Sequence, residues 1–281
     1  MRERNIGYLH ETLRAFETGV YETENGKAEV QLGMDEILKA EVFLPDRIYD
    51  LKPEGLRARE GKCVYSCLNI DSFSQALNMM NENPDEPVLV LNLANPVNIG
   101  GGVRRGAIAQ EEDLCRKSSL LLNLEGLEAW PYYAYNRALE TYMGSDALII
   151  SPKVEVIRDE HMRLISPSVI VSVMTCAAPY LYYGKEGMSE EEYGQMLYTR
   201  MEGMLKVSAA KGYRRLVLGA FGCGAFRNDA AVVARLFHEV FENFSFGGYG
   251  SDQLFGEVCF AVLCRRDLYN FNCFAEYFGK K

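Results

Sequence analysis

The sequence predicts an α/β protein: a largely parallel or mixed sheet with helices packed on both faces. Three observations predict it. From residue 63 onward, apolar runs of strand length alternate with helix-length amphipathic patterns. One of those runs, PVLVLNLA at 87–94, is apolar almost without interruption, as a strand covered on both faces should be. Two glycine clusters, Gly100–Gly101–Gly102 and GAFGCGAFRND at 219–229, each follow directly on a strand-like run and lead into a helix. Alternation of this kind builds a layered α/β sandwich. In such sheets ligands bind beyond the carboxyl ends of the strands.

The elements can be justified in chain order. Ile6, Leu9, Leu13 and Phe16 recur at spacings of three and four, which marks one face of an N-terminal helix; His10 falls off that stripe. Lys52, Pro53 and Gly55, followed by RAREGK, mark a loop and a soft boundary near residue 60. CVYSCLNI (63–70) reads as a strand, and DSFSQALNMM as a helix capped by Asp71. EEDLCRKSSLLLNL is expected to form one helix. ALIISP (147–152) and SVIVSVMT (168–175) are further strands. Ser189 and Glu192 form a capping box that opens a helix over about 189–210, closed by Gly212. RLVLGA is a strand, NDAAVVARLFHEVFENF a helix and EVCFAVLC the last strand.

Bulk properties exclude several function classes. The 281 residues are 48% hydrophobic and 25% charged, an ordinary globular balance. No apolar run is long enough to cross a membrane, and the charged start MRERNIGYLHETLRAFE lacks a secretory core, so the chain reads as cytoplasmic. The formal charge of -9 argues against general nucleic-acid binding, although Arg104, Arg105, Arg116 and Lys117 could form a local basic patch. Eight cysteines without a CxxC pair, and only His10, His161 and His238, argue against a zinc site.

The glycine clusters point to an anion. Glycine lets backbone approach a ligand closely, and exposed N–H groups at a helix start bind phosphate. Two such loops at one sheet edge suggest a bed for a diphosphate. The familiar phosphate motifs fail here. Gly101 to Gly106 has the Walker A spacing, but Ala107 stands where lysine is required. Gly100, Gly102 and Gly106 miss the dinucleotide fingerprint by one residue, and Arg227 replaces the third glycine after Gly222 and Gly224. NTPase and nicotinamide oxidoreductase readings weaken accordingly.

GGG, seven intervening residues and then QEE (110–112) resembles the signature of the microbial-type poly(ADP-ribose) glycohydrolases. ETL (11–13), SPKVEVIRD (151–159), VSVMTCAAP (171–179) and GAFGCGAFRND resemble further landmarks of that family in the same order. The resemblance implies a three-layer α/β/α macrodomain with a mixed sheet over 61–281 and an N-terminal helical accessory region over 1–60. It implies that Glu112 is the catalytic acid, Glu111 a holder of ribose hydroxyls and Gln110 a support of the loop. Asn98 and Gly100, Gly101 and Gly102 would border the distal ribose. Gly222, Cys223, Gly224 and Ala225 would cradle the diphosphate, and Phe226 would lie beside the terminal ribose. Ile99, Lys153 and Glu155 depart from the family pattern.

The chemistry can be weighed from the residues themselves. Glycosidic cleavage passes through an oxocarbenium-like sugar, usually flanked by two carboxyls on opposite sides. Adjacent Glu111 and Glu112 are poorly placed for that, so one acid must first protonate the leaving oxygen and then accept a proton from water. The expectation is a poly(ADP-ribose) glycohydrolase, acting by exo cleavage, with ADP-ribose or its polymer as ligand and no metal or cofactor. ADP-ribosylated proteins are possible partners. Removal of mono-ADP-ribose from an acceptor, and a non-catalytic ADP-ribose reader, are the other readings. Cys223 lacks a neighbouring histidine and is not expected to act as a nucleophile. Trp130, Tyr132, Tyr133 and Tyr135 are expected to pack against the core more than to stack adenine.

Overall fold

A computed structural model of the chain describes residues 1–279. It begins with helix α1 (Arg2–Thr18), whose buried face carries Leu9, Thr12, Ala15 and Phe16. The segment up to residue 60 is not purely helical. A hairpin of β1 (Val20–Thr23) and β2 (Gly26–Glu29) precedes the short helix α2 (Met34–Ile37). Strand β3 (Glu41–Phe43) and helix α3 (Pro45–Tyr49) follow.

The sandwich proper continues with β4 (Val64–Leu68), α4 (Ser72–Glu82) and β5 (Val88–Leu93). Asp71 caps α4 by accepting the Ser74 N–H at 3.1 Å. The expected single helix over EEDLCRKSSLLLNL is two: α5 (Gln110–Lys117) and α6 (Leu120–Glu125). The break falls at Ser118, whose extended backbone bridges to Val156 and whose hydroxyl donates to the Leu114 carbonyl at 2.8 Å. Helix α7 (Trp130–Ala138) leads to β6 (Leu148–Arg158) and β7 (Leu164–Cys176), a hairpin much longer than the apolar cores of its strands predict. Helix α8 (Glu190–Ala210) opens with the expected capping box, in which Ser189 accepts the Glu192 N–H at 3.1 Å. Strand β8 (Arg215–Leu218) and helix α9 (Ala230–Asn243) come next, followed by a short β9 (Ser245–Phe246), β10 (Tyr249–Gly250) and α10 (Ser251–Leu254). Strand β11 (Glu257–Ala261) and helix α11 (Tyr269–Phe278) end the fold.

Seven strands form one mixed sheet in the order β3-β6-β7-β5-β8-β11-β4. The run from β7 to β4 is parallel, and β6 and β3 add antiparallel neighbours. Alternate residues of the central strands face opposite layers. Leu89, Leu91, Leu216 and Leu218 pack with α8, α9 and α11 residues such as Leu197, Met201, Phe237 and Phe274. Val88, Val90 and Val217 pack on the other face with Phe73, Met79, Leu114 and Leu121. This is the three-layer α/β/α arrangement, and it explains why β5 is apolar at every position from 88 to 91. Among the described residues no helix is long and apolar enough to cross a membrane.

Several contacts fasten the N-terminal segment to the sandwich. β3 pairs with β6 at the sheet edge. The buried Glu155 carboxylate accepts the N–H groups of Gln31 (2.9 Å) and Leu32 (3.0 Å) and the Ser168 hydroxyl (2.6 Å). Thr12 donates to the Arg116 carbonyl at 2.6 Å and accepts from Arg158 Nε at 2.9 Å, while Arg158 also pairs with Glu11. The two charged departures in SPKVEVIRD thus have structural work: Glu155 holds the 31–32 turn, and Lys153 pairs with Glu36 at 2.6 Å.

Candidate active site

β5 and β8 are adjacent and parallel, so the loops that leave them emerge side by side at one edge of the sheet. The loop after β5 carries the GGG cluster and runs into α5, and the loop after β8 carries 219–229 and runs into α9. The adjacency of the two strands therefore brings the two glycine clusters to the same sheet edge.

Glu111 and Glu112 occupy the first turn of α5 and are buried, with 3% and 7% exposure. An acidic pair in a first turn is ordinarily solvated, so its burial is the first sign that this turn does chemistry. Glu111 accepts the Asn95 N–H at 2.8 Å and approaches the Asn92 amide at 3.4 Å. Burial still dominates: it raises the Glu111 carboxyl to about 8, against the Asn95 hydrogen bond and with a further push from Glu112. Glu112 accepts the Gly102 N–H through Oε1 at 2.8 Å. Its Oε2 is buried and has no partner among the described residues. A buried polar atom in that condition usually awaits a ligand or marks a functional strain.

The GGG loop exists to make room for these carboxyls. A Cβ on Gly101 would lie 2.6 Å from Glu112 Oε1 and 2.9 Å from Glu111 Oε2, closer than any real side chain allows. Gly101 also has φ +58°, where a side chain is strained. Gln110 locks α5 onto β5, accepting the Leu93 N–H at 2.8 Å and donating to the Leu91 carbonyl at 2.7 Å and Ser72 Oγ at 3.1 Å. Its amide is thus engaged by the scaffold. Asn98 is exposed, and the turn that presents it is closed by Asn95 Oδ1, which accepts the N–H groups of Val97 (3.0 Å) and Asn98 (2.7 Å).

The second loop is held by Asn228, a buried residue that the sequence gives no reason to single out. Its amide donates to the carbonyls of Pro179 (2.8 Å) and Gly222 (3.1 Å), and its Oδ1 accepts the Tyr193 hydroxyl at 2.6 Å. A Cβ on Gly222, at φ +76°, would strike Asn228 Nδ2 at 2.4 Å and Ala178 Cβ at 2.5 Å. The N–H groups of Gly224, Ala225 and Phe226 have no partner among the described residues. Consecutive free N–H groups in a turn form an anion cradle. Burial pushes the Cys223 thiol well above its ordinary range, which disfavours the nucleophilic thiolate.

Several residues near these motifs turn out to serve the scaffold. Tyr132 and Tyr133 lie fully inside the core and meet edge to face at 5.0 Å, while Trp130 is half exposed against Arg137. The four cations near the opening loop do not form one patch. Arg104 pairs with Glu125, Lys117 is buried between Asp71 and Asp113, and Arg116 is buried and bonds the Ala107 carbonyl. His238 sits on the flank of α9 beside Glu242 and Tyr277. Asn92, Asn95 and Asn228 position the site without any motif in the sequence that marks them for it. The only signal they carry there is their nearness to the glycine clusters.

A buried carboxyl oxygen left open at the start of α5, and consecutive open N–H groups on the loop after the adjacent strand β8, suit a glycoside-cleaving enzyme of macrodomain type. The comparisons with known proteins narrow that class. The profile for the catalytic domain of microbial-type PARG matches residues 10–159. The structure of poly(ADP-ribose) glycohydrolase from Thermomonospora curvata superposes with a TM-score of 0.89 at 30% identity, covering 99% of this chain and 100% of that one. The same enzyme bound to the inhibitor ADP-HPD gives 0.87 at 29% identity, with coverage of 99% and 100%. The Deinococcus radiodurans enzyme in complex with ADP-ribose gives 0.75 at 34% identity, covering 88% of this chain and 98% of that one. No curated protein sequence matches the chain significantly. The chain belongs to the microbial-type poly(ADP-ribose) glycohydrolase family and is a glycohydrolase.

Proposed function

We propose that the protein releases ADP-ribose from the end of poly(ADP-ribose), with Glu112 as its single general acid and base. The observation that carries this reading is the asymmetry of the Glu112 carboxyl: Oε1 is fixed by the Gly102 N–H, and Oε2 is buried with no partner among the described residues. A proton on Oε2 goes to the 2′-oxygen of the leaving unit as the bond from that oxygen to the ribose C1″ breaks, its electron pair leaving with the oxygen. Water then adds to the oxocarbenium carbon and returns a proton to Glu112. The diphosphate lies on the free N–H groups of 224–226, Phe226 borders the reacting ribose, and Glu111 holds the ribose hydroxyls. Asn98, exposed at the mouth of its turn, contacts the distal ribose. The ligand bound by the Deinococcus relative, ADP-ribose, supports this occupancy.

Exo cleavage is part of the proposal. A polyanion threads poorly along a protein of formal charge -9, whereas one terminal unit needs only the local cradle. The polymer's carriers are ADP-ribosylated proteins, and the reaction belongs to the cytoplasm. The eight cysteines are all free, which supports a reducing compartment.

The test is incubation with poly(ADP-ribose), with products resolved over time. Free ADP-ribose from the first time points is expected; early internal oligomers would refute exo cleavage. Glu112→Gln should lower kcat by about 10²–10⁴, the range of general acid–base help, while ADP-ribose affinity stays within about threefold. Unchanged turnover in that variant would remove Glu112 from the chemistry.

A further inference from the structure

The segment that follows β7 carries YLYY at 180–183, a run the proposed chemistry does not use. It forms a tyrosine platform against the second glycine loop. The Tyr180 ring meets Phe226 edge to face at 5.2 Å, and Tyr180 and Tyr182 lie nearly parallel, 6.0 Å apart. Tyr142 extends the platform, 4.7 Å from Tyr183. Tyr142, Tyr182 and Tyr183 are all at least half exposed and lie together as one aromatic patch. The platform is rigid, because the Leu181 N–H donates to the Phe226 carbonyl at 2.9 Å and the Tyr180 N–H to the Tyr142 carbonyl at 2.9 Å.

A cation completes it. The Arg227 guanidinium lies 4.1 Å from the Tyr182 ring centroid. That side chain makes no ion pair and no hydrogen bond among the described residues, in a protein of formal charge -9. The Arg227 backbone is held at φ +62°, a left-handed conformation uncommon for arginine and better suited to glycine or asparagine. A strained arginine with a free head group, packed over exposed tyrosines, is what single-stranded nucleotide chains stack on.

We infer that Tyr182, Tyr183 and Arg227 form a second subsite, which stacks the adenine and holds the phosphates of the polymer unit on the leaving side of the cleaved bond. The connectivity of the substrate requires a neighbour there. The leaving oxygen is the 2′-oxygen of that unit's own adenosine, so its base lies one ribose away from the bond being cut. Phe226, set beside the reacting ribose, is the inner edge of the platform. This inference rests on the proposed function and adds the recognition of a second unit to it.

The test compares ADP-ribose, which fills only the terminal site, with a purified two-unit oligomer, which fills both. Tyr182→Ala and Arg227→Asn are the variants; asparagine tolerates the left-handed backbone and keeps the loop. Each should weaken oligomer binding or raise its KM by about five- to a hundredfold, the range for loss of one base stack, with ADP-ribose affinity within about twofold. Equal losses for the two ligands, or no loss for the oligomer, would overturn the subsite. A loss confined to mono-ADP-ribosylated protein would overturn it too, and assign the platform to an acceptor protein. Wild-type protein that neither binds ADP-ribose nor cuts the oligomer would instead refute the function beneath it.

Discussion

At the scale of single residues, the site is governed by how little room two neighbouring carboxyls are given. Gly101 lacks the atom that would fill that room, Gly102 fixes one Glu112 oxygen, and burial raises Glu111 to about 8. The consequence for stability has a definite sign. The Glu111 carboxyl keeps its proton in the folded state up to about 8, whereas in the unfolded chain it ionises near 4.5. Between those values the folded state binds more protons, so stability contributed by Glu111 is full below about 4.5 and is lost as pH rises towards about 8. Glu111→Gln keeps an acceptor for Asn95 and removes the titration. Thermal melts should therefore show the variant gaining on the parent protein between pH 5 and pH 8.5, with the two closest at the acid end. A constant difference in Tm across that range would show that Glu111 does not titrate there.

At the scale of elements, both glycine loops owe their shape to side chains outside the glycines. Asn228 ties the loop after β8 to Pro179 and to Tyr193 on α8. Asn228→Ala leaves a buried hydroxyl and a buried carbonyl without partners, at a cost of about 1–3 kcal/mol. Expected outcomes are a Tm lower by several degrees and ADP-ribose binding weaker by about tenfold, measured by calorimetry. Affinity unchanged despite the lower Tm would separate this anchor from the ligand cradle. The helix breaks follow the same logic. The sequence EEDLCRKSSLLLNL has the composition of one helix, yet Ser118 and Ser119 bond β6 residues, with the Ser119 hydroxyl accepting the Glu155 N–H at 3.0 Å. No local propensity carries that instruction. Helix α11 likewise carries little local signal, because its buried residues Phe274 and Phe278 find partners on α9 and β11 only in three dimensions.

For the whole molecule, residues 1–60 and the sandwich share one sheet and a common set of buried contacts. We propose that the first segment acts as an accessory unit that braces the catalytic loop: Asn5 donates to the Gly106 carbonyl at 3.1 Å and Thr12 to the Arg116 carbonyl at 2.6 Å. Leu9, Phe16, Ile37, Phe43 and Ile48 are all essentially inaccessible. Removing them would uncover the β6 edge and the faces they cover, a liability for aggregation. Residues 61–281 expressed alone should therefore lack a cooperative melt and should aggregate. A sharp transition within a few degrees of the full chain would show that the sandwich folds unaided.

The sequence by itself determined the layering of helices and strands, the position of both glycine loops at strand ends and the fixed interval between GGG and QEE. These are local properties: periodicity, the freedom of glycine and the length of chain between two motifs. The tertiary structure alone decided that the acidic first turn is buried, which backbone groups of β5 Gln110 engages, that three of four neighbouring cations are taken up by separate partners, and that Asn92, Asn95 and Asn228 hold the site. Each of those depends on which groups meet across long stretches of chain, and burial and pairing, not residue type, set what a charged side chain does.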